Sequence, residues 1–137
     1  VHVNNNGPSR RQILGLISGL LAEPMVASAQ DAVKADPHSY RVVLENDKVR
    51  VLEYVSLPGY GICGAGQHFH PGHVTVQMTP AKVRLTGKDG KVTTLDAPAG
   101  LVFWEDAVTH TTENVGGSNS RAFIVEIKDA SWKPSTG

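Results

Sequence analysis

The chain has 137 residues, and its 13 basic and 13 acidic side chains balance to a formal charge of zero. A chain of this length can bury one core and hardly two. With no basic stripe it carries no electrostatic footprint for nucleic acid, and its one cysteine, Cys63, excludes an internal disulfide and any cysteine-rich zinc site.

The first 29 residues have the layout of an export signal. Arg10-Arg11 precedes a mostly apolar run over 13–26, and Ala27-Ser28-Ala29 supplies the small residues of a cleavage site after Ala29. Ser9-Arg10-Arg11-Gln12-Ile13-Leu14 resembles a twin-arginine signal. The run is short and is broken by Glu23 and Pro24, which argues against a membrane span. The expectation is a periplasmic or secreted protein that leaves the membrane after cleavage; if the segment is instead an ordinary amphipathic helix, the protein is cytoplasmic. Residues 30–39 read as a linker.

From residue 40 to residue 128 the chain has the pattern of an all-β domain. Runs rich in Val, Ile, Thr and aromatics at 40–45, 48–57, 73–79, 82–86, 91–95, 101–104 and 121–128 predict strands. Turn residues separate them: Asn46-Asp47, Pro58-Gly59-Tyr60-Gly61, Pro98-Ala99-Gly100, Gly116-Gly117-Ser118-Asn119, and Asp89-Gly90, a strong tight-hairpin dipeptide. No stretch shows helical periodicity, so a sandwich or barrel is expected. The tail over 129–137 reads as loose, with Trp132 as a candidate anchor.

Three histidines carry the chemistry. In an extended strand His68 and His70 share a face, a spacing that suits two imidazoles on one metal. A second strand carrying His110 can complete a facial set if it crosses nearby. Cys63 is a small buried residue or a neighbour of this site.

These residues resemble the two motifs of the cupins. Gly61, His68 and His70 match the first, and Gly100, His110 and Asn114 match the second. The stretch Val49-Arg50-Val51-Leu52-Glu53 followed by Pro58-Gly59 is similar to the opening of small bacterial single-domain cupins, including those associated with β-alanine degradation. The resemblance implies a double-stranded β-helix, or jelly roll, with a divalent transition metal (Fe, Mn, Ni or Zn) held by His68, His70 and His110. It also implies a homodimer formed through the outer sheets. Some such cupins are iron dioxygenases acting on thiols or diketones; others isomerise, hydrolyse or eliminate.

The departures matter as well. The family's acidic ligand falls here on Val74, with Thr75 next, so the usual carboxylate is missing. Strand parity places His73 with Thr75 and Gln77, opposite the apolar set Val74, Val76 and Met78, which argues against His73 as a further ligand unless a bulge follows Pro71-Gly72. On the same parity Val74, Val76, Met78 and Phe123 are expected to line the pocket, with Trp104 as a substrate wall. Glu105 and Asp106 sit in the altered second-motif loop, Asp106 as an expected pocket residue and either as a candidate for a late ligand or proton relay. Tyr54 and Gln77 are further lining candidates, and Asn114 is expected to fix a strand end. Three neutral imidazoles leave a divalent ion its full charge, which favours a small polar or anionic substrate. The alternative to a metalloenzyme is a non-catalytic cupin that binds a small molecule or acts as a structural partner.

Overall fold

The structure, a computed structural model, describes residues 30–59, 67–130 and 132. The expected export segment, Gly61, Cys63 and the tail beyond Ala130 other than Trp132 lie outside these residues. In chain order the described elements are β1 (Gln30–Asp31), α1 (Ala32–Ala35), β2 (Tyr40–Glu45), β3 (Val49–Ser56), β4 (His68–His70), β5 (His73–Gln77), β6 (Ala81–Gly87), β7 (Val92–Ala97), β8 (Val102–Glu105), β9 (Val108–Asn114) and β10 (Ser120–Ile127). They form two five-stranded sheets, ordered β1-β4-β9-β6-β7 and β2-β3-β10-β5-β8. Every pairing is antiparallel except that of β1 with β4.

The turns follow their side chains. The Asn46 side chain accepts hydrogen bonds from the backbone N–H groups of Lys48 and Val49 at 2.8 and 2.9 Å, closing the β2–β3 hairpin. Between β6 and β7, Gly90 takes a φ of +83°, a conformation that costs glycine little and other residues more. The span expected as a linker is instead structured. Asp31 caps α1 by accepting from Val33 N at 3.0 Å, and Ala32 is fully buried. The short turn was illegible as a helix because one turn is too brief to show a period.

Ala32, Tyr40, Leu52, Tyr54, Ala122 and Ile124 pack into the hydrophobic cluster. Leu52 is completely buried there, worth about 2–3 kcal/mol by area removed from water.

Alternation divides the second sheet into two faces, but the inner face is not the one expected. On β5 the buried residues are His73, Thr75 and Gln77, while Val74 and Val76 are half-buried and Met78, just past the strand, is exposed. On β10 Ala122, Ile124 and Glu126 are buried and Phe123 is half-buried. The apolar set therefore lies on the outer face, in rows set by register. Val51, Val125, Val74 and Trp104 make one row, and Phe123, Val76 and Val102 the next. Parity identified the two faces; hydrophobicity misidentified which one is inside, because the outer face is apolar and the inner face carries the polar site.

Candidate metal centre

Cross-strand register brings the histidines together. His68 on β4 lies directly opposite His110 on β9, and His70 follows two residues along β4 on the same face. Their imidazole rings meet at centroid distances of 4.9 Å (His68 to His110), 5.0 Å (His68 to His70) and 5.5 Å (His70 to His110). One nitrogen from each residue lies within 4.8 Å of those of the other two, and all three residues are buried.

Three properties of these side chains fit a divalent cation. Burial, the largest cause, drives the His70 pKa well below its usual value, and the nearby His110 and His73 push the same way; burial also lowers that of His110. Both rings are thus held neutral, the form that ligates a metal. His110 Nε2 is buried with no hydrogen-bond partner among the described residues, a polar atom whose desolvation calls for a partner. Lastly, His70 Nδ1 lies 2.9 Å from Glu126 Oε1. A carboxylate accepts, so Nδ1 carries the proton and the lone pair is on Nε2.

Opposite the trio runs a polar row of the second sheet. Register places Arg50, Glu126, His73 and Glu105 side by side across β3, β10, β5 and β8. Arg50 Nε donates to Glu126 Oε2 at 2.7 Å, and Arg50 also pairs with Asp31. Burial alone would lower the Arg50 pKa, but the two carboxylates more than offset it. Burial is also the largest influence on Glu126, raising its pKa, and Arg50 opposes that rise. His73 Nδ1 donates to the Pro71 carbonyl at 2.7 Å, turning Nε2 toward Glu105 Oε2 at 3.3 Å. The hydrogen bond from His73 in turn lowers the pKa of the half-buried Glu105.

A cavity of about 60 Å³ opens beside His70 and His110. Its remaining wall combines His73, Glu105, Thr75 and Gln77 with apolar residues that include Val83, Leu95 and Phe103. Tyr40 and Tyr54 also line it. The Tyr40 hydroxyl sits 3.3 Å from both His68 Nε2 and Thr112 Oγ1, and burial raises its pKa well above 10, so it stays protonated beside the trio.

The sequence-derived candidates divide accordingly. His73, Glu105, Tyr54 and Gln77 face the cavity; His73 shares a face with Thr75 and Gln77 as parity grouped it, but that face is the inner one. Val74, Val76, Met78, Trp104, Asp106 and Phe123 are not part of its lining. Trp104 is 52% exposed and donates from Nε1 to Asp106 Oδ1 at 2.8 Å on the surface. The position after Val74, Thr75, is the one that faces inward. Asn114 acts at a strand end: its amide donates to the carbonyls of Ser56 and Ser118 and accepts from Gly116 N. Asp31, Arg50, Glu126 and Tyr40 were missed. The signal for two of them was a lone charge inside an apolar strand, Arg50 between Val49 and Val51 and Glu126 between Val125 and Ile127.

No protein-family model matches the chain, and no curated protein does either. Among solved structures it is similar to a cupin domain from Bordetella pertussis Tohama I, with 24% identity over 75% of this chain and 99% of the other and a TM-score of 0.58. It is also similar to an RmlC-like cupin family protein with a double-stranded β-helix fold from Methanocaldococcus jannaschii, with 12% identity over 64% of this chain and 77% of the other and a TM-score of 0.52. The described residues thus form one small all-β domain, and its fold is the cupin double-stranded β-helix.

Proposed function

We propose that the protein is a metal-dependent enzyme of the tri-histidine type, acting on a small polar or anionic metabolite, with Fe(II) dioxygenase-like oxidation of a carbon or sulfur centre as its chemistry. The observation that carries this reading is the buried trio His68, His70 and His110, two of which, His70 and His110, line a small cavity. A divalent ion held by them would supply Lewis-acid and O2-activating chemistry.

The chain's own residues define the rest. Glu126 orients His70 through Nδ1. The His73–Glu105 pair sits on the cavity wall and can hold or hand on a proton at His73 Nε2 or at the Glu105 carboxylate. Tyr40, protonated, offers a hydroxyl beside His68. Val83, Leu95 and Phe103 give the cavity apolar wall beside its polar groups, suiting a substrate with a polar head and a short hydrocarbon body. A non-catalytic binder is the second reading, favoured by Val74 and Thr75 standing where a carboxylate ligand is expected.

Oxygen consumption tests the two. Protein reconstituted with Fe(II) is offered thiols, β-diketones and small hydroxy acids in an oxygen electrode, beside a His68→Ala/His110→Ala variant. Substrate-dependent uptake confined to the wild type supports the enzyme. Saturable binding of such compounds with no uptake supports the binder.

A further inference from the structure

We propose that Glu126 and Asp31 are positioning residues for the candidate centre: Glu126 holds the His70 imidazole from behind, and Asp31, on the N-terminal arm, sets the strength of that hold through Arg50. The inference rests on the metal reading above and deepens it.

The chain of contacts is continuous and buried. His70 Nδ1 meets Glu126 Oε1 at 2.9 Å, Arg50 Nε meets Glu126 Oε2 at 2.7 Å, and the Arg50 guanidinium reaches the Asp31 carboxylate. The side chains of Arg50 and Asp31 are each 6% exposed, and that of Glu126 is fully buried. The Trp132 ring packs on Arg50, its centroid 4.9 Å from the guanidinium carbon. In such surroundings these charges are weakly screened.

Their signs give the row a purpose. Arg50 and Glu126 alone would make a neutral pair, and a carboxylate neutralised by its own arginine pulls weakly on an imidazole N–H. Asp31 takes part of the Arg50 charge, so the three together place one net negative charge behind His70. That is the unit of charge which Val74 and Thr75 do not supply as a ligand. A carboxylate behind a ligating imidazole raises its basicity and fixes its orientation.

The arm is tied to β4 by backbone pairing and to β3 by the Asp31–Arg50 contact. β1 pairs with β4 in register Gln30 to His68, and Asp31 also caps α1. Losing the Asp31 carboxylate contact would release Arg50 toward Glu126 and untie the arm from β3, while the backbone pairing of β1 with β4 would remain.

The test is a Co(II) titration of the chelator-stripped full chain, followed by visible absorption, in the wild type, Glu126→Gln, Asp31→Asn and the double variant. A glutamine must turn its NH2 toward either His70 or Arg50, so one of the two contacts breaks. Glu126→Gln is expected to weaken Co(II) binding about 10–100-fold. Asp31→Asn should weaken it less, and the double variant should be no weaker than Glu126→Gln alone, because Asp31 acts through Glu126. Histidine 15N NMR of the metal-free proteins should show His70 protonated on Nδ1 alone in the wild type and on both nitrogens in mixture in Glu126→Gln, a change that mere loosening of the fold would not confine to His70. Should Glu126→Gln fail to fold, weaker Co(II) binding by Asp31→Asn supports the proposal and unchanged binding overturns it. Unchanged affinity in both single variants, or an Asp31→Asn effect that persists in full in the Glu126→Gln background, overturns it while leaving the metal reading standing. A wild type that takes up no Co(II) overturns both.

Discussion

Mild acid should destabilise the metal-free protein through its buried imidazoles. His70 and His110 have folded-state pKa values depressed by burial, so between those values and the unfolded value near 6.5 the unfolded chain binds more protons than the folded one. Stability is then fully present above the unfolded pKa and falls as the pH falls. For one histidine that stays neutral when folded, the loss from about pH 7.5 to about pH 5.5 is on the order of 1 kcal/mol. His70, the more strongly depressed, contributes the larger share and His110 the smaller, so the total is on the order of 1–3 kcal/mol. Glu105 acts in another window: its depressed pKa makes stability fall only below about pH 4.5. Glu126, with a raised pKa, has the opposite sign and loses stability as the pH rises from about 4.5 through its folded value. Urea unfolding of chelator-treated protein across this range measures the effect, with His70→Gln as the control in which most of it disappears. A flat profile in the wild type, or an undiminished one in His70→Gln, would refute the argument that these rings are buried and neutral.

Other consequences follow from the same geometry. Thr75→Glu places a carboxylate on the cavity wall, so without metal it should destabilise by on the order of several kcal/mol, and added metal should recover more of the melting temperature than it adds to the wild type. Val74→Glu, on the outer face, should leave metal affinity unchanged; equal behaviour of the two in calorimetry would contradict the face assignment. Leu52→Ala should cost about 2–5 kcal/mol in urea titration, since Leu52 is fully buried among Tyr40, Tyr54 and Ile124. The outer apolar rows end on Trp104 and Val102, 52% and 58% exposed, a face that a second copy of the chain would cover. Light scattering should then give a homodimer that Trp104→Glu dissociates, and a monomeric wild type would remove the idea.

Much of the fold was legible from local pattern, because strand alternation and the turn residues act over a few positions. The Asp89-Gly90 hairpin and the strand at 40–45 appear where expected, and the His68, His70 and His110 cluster needed only one strand pairing to form. What was illegible depends on register between distant strands. Arg50 and Glu126 meet across 76 positions of sequence, and nothing local tells that they share an inner face with His73. The same limit explains the inverted pocket. A jelly roll with an apolar outer face and a polar inner site reverses the usual sense of the alternation, so Val74, Val76 and Phe123 looked like lining while Thr75, Gln77 and His73 were the residues facing inward.

The central claim is that His68, His70 and His110 hold a divalent transition metal, and metal content tests it most directly. Elemental analysis of the purified protein, after exposure to Fe(II), Mn(II), Ni(II) and Zn(II) and removal of loosely bound ions, should find about one ion per chain in the wild type. The His68→Ala/His110→Ala variant should hold none. Equal metal content in the two proteins, or none in either, would contradict the account.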